Sequence, residues 1–248
     1  MIPPPIDLQR RVALDLARAH GVPLVTPDSP SALREAIAAL VSLVSSRTYA
    51  QVSAGASFYV PRLAGKVAGL VPAAVIPPLV STLLDVAGID LPATGVVLVS
   101  REAWDRHPLA VVAHELSHAQ RDKTVAAGGV VASVLWGVGY LAHPDVRAWE
   151  ESTCRINDLV GLVVIDGLSV DDALPTAAGG VDAYALDTPA RALYLAALDS
   201  AAASLRAGEL PGEGTAIHRG LQALVATGAW DAGPWAAAID GERKTVTP

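Results

Sequence analysis

The sequence predicts a mainly α fold with a small β-sheet, and three observations predict it. Apolar residues recur at helical spacing through most of the chain. Only Gly95-Val96-Val97-Leu98-Val99-Ser100 has clear strand character, with three valines and a leucine in a row before a turn. The 248 residues are 52% apolar and 17% charged, which allows a substantial core and is too little charge for a disordered chain.

The elements follow in order. After an extended arm of prolines, Leu8, Val12, Leu16 and Ala19 define an amphipathic helix ending near Gly21. Ser31 is the expected N-cap of a helix to about Ser45, with Leu33, Ile37, Leu40 and Val44 on its apolar face. Val67 to Leu84 is apolar throughout, but Pro72, Pro77 and Pro78 break it into helical pieces. The 95–100 strand leads to Pro108, a helix start, and a helix from Leu109 to about Thr124. Helices over Val146–Val164, Thr188–Ala207 and Thr215–Ala226 follow, with turns at Pro175–Gly180 and Pro211–Gly214. The expected organisation is an N-terminal helical arm, residues 1–60, and a main unit, residues 61–248, the two compatible with one continuous domain.

The stretch 125–142 carries no charge and is long enough to cross a bilayer as a helix, flanked by Arg121 and Lys123 on one side and Trp136 and Tyr140 towards the other. Its Gly and Ala content equally suits a closely packed core helix. Met1 to Asp7 lacks the basic and apolar regions of a secretory signal, so the expected location is cytoplasmic, with membrane association through 125–142 as the alternative. A net charge of −7 without a basic face excludes a general nucleic-acid binder. The single cysteine, Cys154, excludes a disulfide framework and a Cys-rich zinc module, and is expected to be a buried, inert thiol.

The chemistry lies in His114-Glu115-Leu116-Ser117-His118. On a helix the two histidines stand one turn apart on one face and can reach a single cation, while Glu115 points about 100° away, beside the ion rather than on it. Zn²⁺ would acidify a water there and Glu115 would take its proton as general base. The bland alternative is a pair of surface histidines. A hydrolytic zinc site needs a third protein ligand, for which His143, Asp145, Glu150, Glu151 and Asp158 are candidates. Val146, Trp149, Ile156, Val160 and Val163 are expected to define the inner face of the following helix. Glu150 shares that face with Thr153 and Asn157, while Glu151 falls on the more polar side; Glu150 is therefore the choice and Glu151 the runner-up.

With the strand at 96–100 upstream and Arg147-Ala148-Trp149-Glu150 downstream, the region 95–160 resembles the gluzincin metallopeptidases, the thermolysin-like group with H-E-x-x-H and a later glutamate. The resemblance implies a zincin-like catalytic core and a peptide or protein substrate. It also implies His114, His118 and Glu150 as zinc ligands, Glu115 as general base, and Val96–Ser100 as the edge strand that holds peptide. Three and four residues after Glu150 stand Thr153 and Cys154, where related helices carry a small and then an acidic or amide residue; Asn157 could orient a ligand histidine instead. For the oxyanion donor that peptide hydrolysis needs, the candidates are His218, Tyr184 and Tyr194, with His218 preferred and a water-facing role at a helix start as its alternative. The expected function is a zinc-dependent endopeptidase; the alternative is a non-catalytic assembly or interaction protein of a phage or membrane complex.

Overall fold

The structure, a computed structural model, describes residues 2–35, 37, 57–61, 95–179, 181–212 and 216–241. It is mostly helical with one three-stranded sheet, as the sequence predicts. The apolar pieces at 67–84 and most of the helix expected over 31–45 lie outside the described residues; residues 31–35 and 37 are helical, with Leu33 and Ile37 buried.

Helix α1, Ile6–Ala19, forms because Leu8, Val12, Ala13, Leu16 and Ala17 line one buried face. Asp7 in its first turn and Arg18 in its last complement the helix dipole. It stops at Gly21, whose φ of +61° lets the Val22 amide turn back to the Ala17 carbonyl at 3.0 Å. Strands β1 (Leu24–Val25), β2 (Phe58–Val60) and β3 (Val96–Leu98) form a sheet of order β1-β3-β2. Val97 pairs with Leu24 in parallel on one side and with Tyr59 in antiparallel on the other. The valine-rich strand is thus central, and the expectation that it is an edge strand open to peptide is overturned: both of its edges are already hydrogen-bonded.

After a short α2 (Arg101–Arg106), capped by Ser100, come α3 (Pro108–Ala127) and α4 (Gly129–Ala142). Gly129, at φ +88°, divides the charge-free stretch that the sequence offers as a span. Among the described residues no helix is long and apolar enough to cross a membrane. Helix α5 runs over Pro144–Val160, so Pro144 opens it two residues ahead of the expected start at Val146, and Asp145 falls in its first turn. A π-helical turn, Gly161–Ile165, continues α5. Then follow α6 (Val170–Ala178), α7 (Thr188–Arg206), α8 (Ala216–Ala226) and α9 (Ala236–Gly241). Pro175 lies inside α6 rather than starting a turn; Ser169 caps the helix and Ala173 and Ala177 bury its inner side.

One apolar core joins α1, the sheet, α3, the π turn and α8, with Val12, Val97, Leu109, Leu159 and Leu221 among its members. The expected N-terminal arm therefore contributes α1 and β1 to the same core as the rest. Full burial of each such leucine is worth roughly 2–3 kcal/mol. A smaller cluster, Ala148, Tyr194 and Leu198 among it, joins α5 to α7.

Gly161, which opens the π turn after α5, packs tightly on α3: a Cβ there would lie 2.4 Å from the Ala110 Cβ. Gly161→Val is expected to lower stability by about 1–3 kcal/mol, read as a fall in the urea midpoint; an unchanged midpoint would mean the helices do not meet there. His107 at the start of α3 places Nδ1 2.7 Å from Asp166 Oδ2, which raises the imidazole above its ordinary value despite partial burial. That contribution is complete below about pH 6.5 and is lost as pH rises through the raised folded value. The stability gap between wild type and Asp166→Asn should accordingly shrink from pH 6 towards alkaline pH in chemical unfolding.

Candidate metal centre

Helix α3 presents its apolar residues and its histidines to the same interior. Leu109, Val112, Leu116 and Ala119 are fully packed, which carries His114 and Glu115 into the protein at 6% and 5% exposure. The His114 and His118 rings lie with centroids 5.3 Å apart and planes tilted by 60°. The pair faces α5, so the surface-histidine alternative does not hold.

The opposing side of α5 is polar. Glu150, Glu151, Ser152, Cys154 and Asn157 are all buried, whereas Trp149, expected on the inner face, is 51% exposed. Trp149 lies over the Arg121 guanidinium at 3.9 Å instead. Hydrophobicity alone misplaces this face because the polar side chains have partners on α3 that water would otherwise supply.

His114 Nδ1 is 3.0 Å from Asp158 Oδ2, and Asp158 also accepts from Arg155 Nη1 at 2.8 Å. Burial by itself would raise the Asp158 carboxyl, but His114 and Arg155 outweigh it and hold the group below the usual carboxylate range. Arg155 is fixed in turn by donating from Nε to the Tyr184 hydroxyl at 3.0 Å. His118 Nδ1 is 3.2 Å from Glu150 Oε1, and Glu150 Oε2 is 3.6 Å from Arg121 Nε. On the other ring nitrogen, His118 Nε2 stands 3.8 Å from Glu151 Oε2, and Glu151 accepts a hydrogen bond from the Tyr140 hydroxyl of α4.

His114, His118 and Cys154 can each offer a ligand atom such that all three atoms lie within 4.8 Å of one another. These residues could hold a metal ion. Cys154, not Glu150, completes that set, while Glu150 is bonded to a ring nitrogen of His118. Glu151, expected on the polar side, is as buried as Glu150 and faces the same histidine. Cys154 is the residue that sequence reasoning passes over. Its signal is spacing: it stands four residues after Glu150 and three after Glu151, one helical turn along the same surface.

Burial pushes the Cys154 thiol up to about 12, against the pull of His118. Burial draws His118 down, but Cys154, Glu151 and Glu150 hold it well above the ordinary histidine value. Burial raises the Glu115 carboxyl, opposed by His114 and His118. Glu115 accepts no hydrogen bond from the described residues, unlike Glu150, Glu151 and Asp158.

Asn157 does not orient a histidine. It is fully buried and donates from Nδ2 to Ser117 Oγ at 3.1 Å and to the Cys154 carbonyl at 2.9 Å, while its Oδ1 accepts the Ile217 amide at 3.2 Å. It thereby ties α3, α5 and α8 together beside the histidines. His218, the next residue along α8, is 2% exposed, so its water-facing alternative is overturned. Tyr194 is fully buried and donates to the Ala177 carbonyl, and Tyr184 is committed to Arg155. No protein-family model, no curated protein and no solved structure matches the chain.

Asn157→Ala would leave the buried Ile217 amide without its acceptor and Ser117 without its donor. It is expected to cost about 2–4 kcal/mol in chemical denaturation; a cost under about 0.5 kcal/mol would show that water replaces the side chain.

Proposed function

We propose that the chain is a zinc-dependent hydrolase of peptide bonds in which His114, His118 and Cys154 hold the ion and Glu115 is the general base. The observation that carries the proposal is the division of labour among the buried acids. Asp158, Glu150 and Glu151 are each occupied by a histidine, an arginine or a tyrosine, while the Glu115 carboxyl, one residue after the first histidine, is bonded to no described residue. A buried carboxyl kept out of the hydrogen-bonded framework is placed to exchange a proton with water.

Two imidazoles and a thiolate form a soft, nitrogen- and sulfur-rich donor set, which suits zinc over magnesium or calcium. When bound, zinc supplies a Lewis acid for the scissile carbonyl and lowers the pKa of a water towards about 7. The protein does the rest. Asp158 and Glu150 fix the two imidazoles through Nδ1 and so leave the other ring nitrogen of each for the ion. Glu115 accepts a proton from the attacking water and returns it to the departing amine nitrogen. Burial raises the Glu115 pKa and makes the carboxylate a better base than an exposed one. Peptide as the substrate class, and a zincin-type arrangement around the site, rest on the likeness of His114-Glu115-Leu116-Ser117-His118 and the later helix to the gluzincins.

The alternative, a non-catalytic interaction protein, has one observation in its favour. Val131, Leu135 and Val138 are exposed along one side of α4, an apolar stripe of the kind that binds partners.

Metal analysis and a hydrolysis assay on an unfolded protein decide between them. The purified chain should carry one zinc, and Cys154→Ala and His118→Ala should each lose it. Glu115→Gln should keep its zinc and hydrolyse about 10²–10⁴-fold more slowly. A chain without stoichiometric zinc would sink the metal site. A zinc-loaded wild type no more active than Glu115→Gln would sink the hydrolase and leave the interaction protein.

A further inference from the structure

A second polar cluster lies across α3 from the histidine pair. Lys123 stands five residues after His118 and about 140° round the helix, so it projects away from the ligand face. Its ammonium donates to the carbonyl of His20, the residue that ends α1. Arg219 of α8 brings Nη1 to 3.5 Å from His20 Nε2, and Gln120 of α3 brings Nε2 to 3.3 Å from His20 Nδ1. The imidazole is buried, while Arg219 is exposed, so the cluster opens to solvent on the α8 side. Gly21 packs beside the cluster: a Cβ there would stand 3.8 Å from Lys123 Nζ.

This cluster gathers two cations around one residue with no carboxylate beside them among the described residues. The chain has 25 acids against 18 lysines and arginines. Arg121 meets Glu150, Arg155 meets Asp158 and Arg206 meets Asp171. Lys123 and Arg219, by contrast, meet no carboxylate among the described residues and instead converge on one residue, Lys123 on the His20 carbonyl and Arg219 on its imidazole. Burial, then the charges of Arg219 and Lys123, hold His20 below the ordinary histidine range, which shows how strongly the local field disfavours another proton. Two cations from two elements, with no counter-charge among the described residues, repel one another across His20, and a small anion among them would turn that repulsion into attraction.

We propose that His20, Lys123 and Arg219 form a binding site for a dianionic tetrahedral oxyanion, phosphate or a phosphate monoester, at the junction of α1, α3 and α8. A guanidinium offers a fork of donors, an ammonium a point charge, and a protonated imidazole a third donor, which suits a dianion better than a single carboxylate. The site is distinct from the metal centre and independent of it.

The test uses the full chain and inorganic phosphate at constant ionic strength set by chloride, with the His20 ring protons followed by NMR. Phosphate should shift them saturably and raise the His20 pKa by about one unit. Arg219→Gln, a change at an exposed position, should weaken binding at least about 10-fold, and Arg219→Lys should recover part of it. Thermal midpoints should rise with phosphate in wild type and not in Arg219→Gln. Phenyl phosphate in a parallel arm separates the sources: tighter binding of the ester marks a phosphorylated ligand, tighter binding of the inorganic ion a free anion. The proposal is overturned if neither shifts His20 beyond the chloride control, or if Arg219→Gln binds phosphate as wild type does.

Discussion

Helices α3 and α5 meet through polar side chains, and the rest of the molecule is arranged around the need to satisfy them. His114 with Asp158, His118 with Glu150, and Ser117 with Asn157 each join one helix to the other. An unpaired carboxylate or imidazole in such a place costs several kcal/mol, so a one-residue slip of either helix would strand them all. Apolar packing supplies most of the stabilisation, but it tolerates more than one register. The polar pairs do not. The close contact of Gly161 with Ala110 brings the ends of the two elements near enough for the pairs to form.

The same layer sets the charge state of the pocket. Cys154, Glu151 and Glu150 hold His118 well above its ordinary value against burial, and burial holds the Cys154 thiol up. A metal ion held by these residues would need a thiolate and a free imidazole nitrogen, so its binding would release protons and tighten as pH rises. Glu150 links His118 to the outer side of the helix pair. It faces His118 on one side and Arg121 on the other, and Arg121 continues outward to the exposed ring of Trp149. The surface of α5 is therefore connected to a candidate ligand through three side chains.

The periphery has a different logic. The sheet is small and fully internal at its centre: β3 is covered on both edges, and its residues are buried on both faces. That explains why the valine-rich run is apolar without alternation, the pattern of a strand with no solvent side. Helix α4 is the reverse case, apolar in composition yet exposed along Val131, Leu135 and Val138. Composition states that both segments avoid charge; only packing states which of them is inside.

Local pattern by itself determined the helices with clean apolar spacing, the strand at 96–98, and the two histidines one turn apart with a carboxylate beside them. Each of these is a property of a few consecutive residues, and periodicity records it directly. The third member of the ligand set is different in kind. Glu150, Glu151, Cys154 and Asp158 all sit on one helix within about two turns, and nothing in their spacing states which of them meets α3 and through which atom. Tertiary structure decided that Cys154 joins the histidines, that Glu150 and Asp158 hold the rings by Nδ1, and that Trp149 faces out. It also decided that the strand is central and that the charge-free stretch is broken at Gly129. The physical reason is common to all of these: a side chain's environment is set by what packs against it from far along the chain, and a polar residue is buried wherever a distant partner satisfies it.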